Sequence, residues 1–128
     1  MASNGPETLA ARTGPAANYT LASFGEAPRS LAEARQDAAA TPIERIDVAN
    51  PKLFHNDVIG PYFERLRRED PVHHVVSPVY GPYWSITRYH DIMAIDTNHR
   101  QFSSDANLGG ITIFGESREA LPMFIAMD

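Results

Sequence analysis

Hydrophobic positions are unevenly spread along the chain. Residues 1–42 are dominated by alanine, with glycine, proline, serine and threonine between, and hold no sustained apolar face. Such a stretch buries too little surface to offset its ordering entropy, so a disordered leader is expected there. Within it, residues 30–40 (SLAEARQDAAA) are good helix formers, but Leu31 is the single large apolar residue, which predicts a marginal, fraying helix. The texture changes at Pro42, and residues 43–128 are expected to form the structured part. Ile43, Ile46 and Val48 come first, then Asn50-Pro51, a turn signal. Over residues 57–69 (DVIGPYFERLRRE), Ile59, Tyr62, Phe63 and Leu66 recur at helical spacing with charges opposite. Pro61 suits a first helical turn, and Pro71 forces a stop.

Period two then replaces the helical period. Residues 72–76 (VHHVV) predict a strand, 77–82 (SPVYGP) a turn, and 83–87 (YWSIT) a second strand. Together they predict a hairpin, which is marginal alone and needs a surface to pack on. Trp84 and Tyr83 alternate, so one is expected in the core and one at the edge. Residues 90–98 predict a second helix with Ile92, Met93 and Ile95 facing inward, and 102–104 a short extended piece. Residues 105–121 read as a loop that carries Gly109, Gly110 and Gly115, but also Leu108, Ile111, Ile113 and Phe114. Apolar residues inside such a loop need something to pack on or to bind. The last residues, from Met123 to Asp128, are so apolar that the chain is expected to be cut from a longer one.

Charge and composition narrow the functions. The net charge is −5, and Arg65, Arg67 and Arg68 are flanked by Glu64, Glu69 and Asp70. That cluster reads as the wet face of a helix rather than a nucleic-acid footprint. There is no cysteine, which removes disulfides and thiolate chemistry from these residues and fits a cytoplasmic setting. No secretory signal is visible, and the longest apolar run, 120–127, is far below membrane-spanning length. His73 and His74 are adjacent, so on a strand they point to opposite faces and cannot share one ion. His55, His90 and His99 lack metal-ligand spacing, and no Lys-Ser or Lys-Thr follows Gly115 to make a phosphate loop. The serines lack a nucleophile-elbow pattern. No complete catalytic set is present, so neither catalytic nor metal-binding residues are assigned.

Several strings in this order carry a resemblance: Pro61-Tyr62-Phe63 with Leu66-Arg67; Glu69-Asp70-Pro71-Val72-His73; Tyr80-Gly81-Pro82-Tyr83-Trp84-Ser85; Asp91-Ile92-Met93-Ala94; Asp96-Thr97-Asn98-His99; and Leu108-Gly109-Gly110-Ile111-Thr112-Ile113. With Phe102-Ser103-Ser104 and the closing Met127-Asp128, residues 43–128 resemble the N-terminal region of the cytochromes P-450. The strings look closest to the bacterial soluble terminal hydroxylases of alkanes and fatty acids. That resemblance implies an α+β fold, mainly α in the parent protein, comprising helix A, the β-hairpin of the small sheet, helix B and the B–C loop. It implies a haem-thiolate monooxygenase hydroxylating an aliphatic small molecule, served by ferredoxin and ferredoxin reductase. By the same resemblance Leu108, Ile111, Ile113, Phe114 and Ile125 are expected to line or cover the substrate pocket. An apolar lid suits a hydrocarbon chain, each buried methylene contributing about 0.8 kcal/mol. The departures are equally definite. The family's haem cysteine, its oxygen-activating acid–alcohol pair, its Glu-x-x-Arg motif and the helix C residues that hold haem propionates have no counterpart here. Haem is therefore expected on a cysteine outside these residues, and the 128-residue chain alone is expected to be inactive. Two alternatives stay open: the same family acting on terpenoid or steroid-like rings, and a non-catalytic module that docks a partner protein through its apolar loop.

Overall fold

The computed structural model describes residues 20–104. Ser30 starts the first helix, α1 (Leu31–Ala40), as its N-cap. Its hydroxyl accepts the Glu33 N–H at 3.3 Å, while the Glu33 carboxylate accepts the Arg29 N–H at 2.9 Å. One donor left over at the helix start, the Glu33 N–H, is thereby satisfied, the residue before the cap is tied back to the first turn, and an acid sits at the positive end of the helix dipole.

This helix is packed, where its composition predicted a marginal, fraying one. Ala34 and Ala38, one turn apart, have 0% and 3% of their surface exposed. They lie in one apolar cluster with Tyr62 and Leu66 of α3 (Gly60–Glu69). Alanine costs no side-chain entropy on burial and lets two helix backbones approach closely. Counting large apolar residues therefore underestimated this face. The chain before α1 is tied down too. Phe24 is buried, 5.5 Å from the Tyr80 ring, and residues 24–28 are held through their backbone. Lys52 Nζ donates to the Phe24 carbonyl at 3.2 Å, Asn50 Nδ2 to Gly25 at 3.1 Å, and Asn56 Nδ2 to Pro28 at 2.9 Å.

Asn50-Pro51, expected as a turn, instead opens a short helix, α2 (Pro51–His55). Asn50 is its N-cap and accepts the Lys52 N–H at 3.0 Å, and Pro51 takes the first position, where no N–H is needed. Asp57, at φ 56°, turns the chain in the left-handed region and leads into α3. In α3 Pro61 lies in the first turn, Tyr62 and Leu66 are buried, and Ile59 and Phe63 pack against the same cluster. Ile46, Val48, Leu53 and Val58 complete the core. Asp70, just before Pro71, leaves the helical region and caps α3.

Strands β1 (Val72–Ser77) and β2 (Gly81–Ile86) pair antiparallel, from Val72 opposite Ile86 to Ser77 opposite Gly81. Residues 78–80 form the turn. The Ser77 hydroxyl accepts the Val79 N–H at 3.3 Å and the Tyr80 N–H at 3.4 Å, and Gly81 at φ 77° closes the loop. That backbone angle suits glycine in a three-residue hairpin loop. Burial alternates along β1, with His73, Val75 and Ser77 inward and Val72, His74 and Val76 outward.

The last element, α4 (Tyr89–Asp96), departs from expectation. It buries none of its residues: Ile92 is 44% and Met93 39% exposed. Apolar spacing identifies which face of a helix seeks cover but does not supply the cover. Among the described residues no element buries this face. The described residues form a mixed arrangement of helices with one small antiparallel sheet, and no helix among them is long and apolar enough to cross a membrane.

Candidate functional site

The polar side chains with the most defined surroundings join one element to another. His73 on β1 has no exposed surface. Its Nδ1 lies 2.8 Å from the Asp70 carboxylate at the end of α3, and its Nε2 lies 2.9 Å from the Ile46 carbonyl. Tyr83 on β2 donates its hydroxyl to Asp47 at 2.7 Å and accepts the Ala49 N–H at 3.1 Å. Burial first, and then the Asp47 carboxylate, push this phenol above its ordinary range. Tyr62 is raised in the same way, by burial and by its hydrogen bond to Asp37 of α1.

Arg65 corrects the reading of its cluster as a wet helix face. Its guanidinium reaches the C-terminal end of α1, donating to the carbonyls of Ala38, Ala39 (3.4 Å) and Thr41 (2.6 Å). Its Nε also pairs with Glu69 at 3.0 Å. A cation there meets both the unpaired carbonyls and the negative end of the helix dipole. Arg67 and Arg68 do lie on the exposed face. Hydrogen bonds from Arg68 and then Arg65 hold the Glu69 carboxyl below its usual range.

None of these pairs places a nucleophile beside a base, and each satisfies groups that folding removes from water. Among the described residues no group of three or more His, Cys, Asp or Glu side chains could hold a metal ion. The two adjacent histidines face opposite ways, as their strand position requires: His73 is inside, and His74 is outside with its ring 4.8 Å from Trp84. Trp84 is 64% exposed and Tyr83 half-buried, so the expected division into edge and core residue holds. A shallow cleft beside this pair is lined by Glu44, Arg45, Asp47, His74 and Val76. It is too open to exclude water from a reaction.

The residues expected to line a pocket, Leu108, Ile111, Ile113, Phe114 and Ile125, lie outside the described residues. The residues present do not fit haem ligation by thiolate, because the chain has no cysteine. Sequence spacing does not reveal the ties made by Arg65, by Asp37 with Tyr62, and by Asp47 with Tyr83. Each joins residues at least 24 positions apart, a distance at which local spacing carries no information.

No protein-family profile matches this chain. A linalool 8-monooxygenase from Pseudomonas putida is 35% identical over 79 residues, which cover 62% of this chain and 20% of that protein. The chain thus matches about one fifth of that relative's length. The similarity supports a relationship to the cytochromes P-450. The helices and two-stranded antiparallel sheet are compatible with the N-terminal portion of such a protein.

Proposed function

We propose that this chain is the N-terminal portion of a haem-thiolate monooxygenase that inserts one oxygen atom from O2 into an aliphatic small molecule. The observation that carries the reading is the 79-residue similarity to a monooxygenase. The order of helix, proline stop, hairpin and helix agrees with it in kind. On this reading the haem iron is held by a cysteine outside residues 1–128, electrons arrive through ferredoxin and ferredoxin reductase, and the protein works in the cytoplasm. The 128 residues alone are inactive. They supply the mouth of a substrate pocket, with Leu108, Ile111, Ile113, Phe114 and Ile125 as its apolar lining. The region from 43 onward belongs to the catalytic domain, and the packing of Ala34 and Ala38 against Tyr62 and Leu66 supports counting α1 with it.

The preferred substrate is a medium or long chain oxidised at or near its terminal carbon, because the strings quoted above look closest to alkane and fatty-acid hydroxylases. A second reading, a terpenoid substrate, is favoured by the relative's activity on linalool. The complete enzyme is titrated with a linear fatty acid, with linalool and with a bulky ring compound, following the haem absorption shift on binding. Tightest binding of the fatty acid supports the first reading, tightest binding of linalool or the ring the second, and no shift with any of them sinks both. Ile111→Asp in the same enzyme is expected to weaken binding of aliphatic ligands at least tenfold. Unchanged titration removes Ile111 from the pocket.

A further inference from the structure

Residues 24–28 lie against α2 without sharing a ladder with it. Among the described residues, no backbone–backbone hydrogen bond joins this stretch to α2, to the hairpin or to α3. Side chains hold it instead. The cap residues of α2, Asn50 and Asn56, donate to the carbonyls of Gly25 and Pro28, and Lys52 donates to that of Phe24. Each tie gives a backbone acceptor a partner in place of water. Nothing lies within 4 Å of where a Cβ on Gly25 would stand, so the stretch runs over the surface. Of its own side chains Phe24 alone is buried, with Ala27 and Pro28 half-buried. The following residue, Arg29, is tied to Glu33 in the first turn of α1.

The Phe24 ring sits on the hairpin turn. Its centroid is 5.5 Å from that of Tyr80, and Val79 is buried next to Tyr80 in the chain. The turn's own N–H groups, at Val79 and Tyr80, reach the Ser77 hydroxyl at 3.3 and 3.4 Å, both long for a hydrogen bond.

We propose that residues 24–28 are a strap, hinged at α1, that opens and closes as a local unit and whose position sets the order of the hairpin turn. Closed, it lays Phe24 over Tyr80. Open, it takes the aromatic cover off the turn, while α1, α3 and the core stay formed, because none of their backbone bonds runs through it. Lys52 is the fastener. Its ammonium donates to the Phe24 carbonyl at 3.2 Å and to Glu26 at 3.1 Å, and its side chain is 20% exposed. The Glu26 side chain is 90% exposed, so that ion pair adds little, and the tie to the carbonyl carries the role.

The chain holds one lysine, which makes the fastener a specific probe. The 128-residue chain is treated with acetyl phosphate. The free amine of Lys52 attacks the acyl carbon; a C–N bond forms as the C–O bond to phosphate breaks, phosphate leaves with the electron pair, and the amine's proton passes to water. Mass spectrometry of the Lys52 peptide times the reaction, and amide exchange follows the turn and α3. Lys52 is expected to react about tenfold or more slowly than in the urea-unfolded chain, but with less dependence on low urea than the exchange of Leu66 in α3. Phe24→Ala should speed the Lys52 reaction and the exchange of Val79 and Tyr80 by one common factor of about ten or more. Lys52→Met keeps the stem without the ammonium and should speed the same two amides, whereas Glu26→Gln should leave them as they are. The proposal is overturned if Lys52 reacts as fast in the folded chain as in urea. It is overturned equally if the reaction shares the rate and urea slope of Leu66 exchange, since the strap would then open only with the whole chain. Protection of Val79 and Tyr80 that survives both Phe24→Ala and Lys52→Met would also overturn it.

Discussion

Replacing Arg65 with methionine separates its hydrogen bonds from its packing. Methionine keeps a long apolar stem along α3, so the area covered by the side chain changes little. What disappears is the guanidinium that donates to the carbonyls of Ala38, Ala39 and Thr41. A hydrogen bond involving a charged group contributes roughly 1.5–3 kcal/mol, and a cation at a partly buried helix C-terminus up to about 2 kcal/mol. These figures describe the same contact and are not summed. The Arg65 side chain is 18% exposed, so water can replace only part of what is lost. A loss of about 2 kcal/mol is expected. The ion pair with Glu69 is an i,i+4 pair on the solvent side, where screening leaves little net contribution, so Glu69→Gln serves as the control. Urea unfolding of the chain followed by circular dichroism measures the difference. Amide exchange then locates it: α1 should exchange roughly thirtyfold faster, the factor that about 2 kcal/mol represents. An Arg65→Met loss no larger than that of Glu69→Gln, with α1 exchange unchanged, would refute the clamp and return Arg65 to the solvated face.

Other outcomes follow from the same contacts. Ala34→Leu should destabilise by about 1–3 kcal/mol, because a methyl-sized residue with 0% exposure is forced to grow against α3. Leu31→Ala, at a position 52% exposed, should stay within about 0.5 kcal/mol, and equal effects in the same urea assay would contradict a packed α1. Alkaline pH should weaken the fold. Tyr62 and Tyr83 are raised above the ordinary phenol value of 10.0, so the folded chain keeps protons that the unfolded chain releases. Their contribution is present below about pH 10 and falls away above it. Absorbance titration of the five tyrosines, with and without urea, should show two that ionise only on unfolding.

The hairpin and α3 were legible because their periods are local. The alternation from Val72 to Ser77 sends His73 inward and His74 outward whatever lies around them. Tyr62 and Leu66, one turn apart, needed only Pro61 and Pro71 to mark the limits of their helix. The packing of α1 was not legible, since the pair Ala34 and Ala38 becomes an interface only when another helix presents Tyr62 and Leu66 to it. Arg65 and Arg68 look alike in sequence, but the end of α1 lies beside one of them and solvent beside the other. In α4 the reverse occurred: Ile92 and Met93 have core-like spacing, and the described residues leave them exposed. The candidate pocket from Leu108 to Ile125 was read from resemblance to a family. Relationship to that family has support from the linalool 8-monooxygenase match, while the substrate preference remains a proposal.

The central claim is that these residues open a haem-thiolate monooxygenase. The most direct measurement expresses the complete reading frame that contains them, reduces the purified protein and records its carbon monoxide difference spectrum. The account predicts the red-shifted absorption band from which the cytochromes P-450 take their name, and its loss when the ligating cysteine is replaced. A product that binds no haem, or binds it with the spectrum of a histidine-ligated haem protein, would contradict the account.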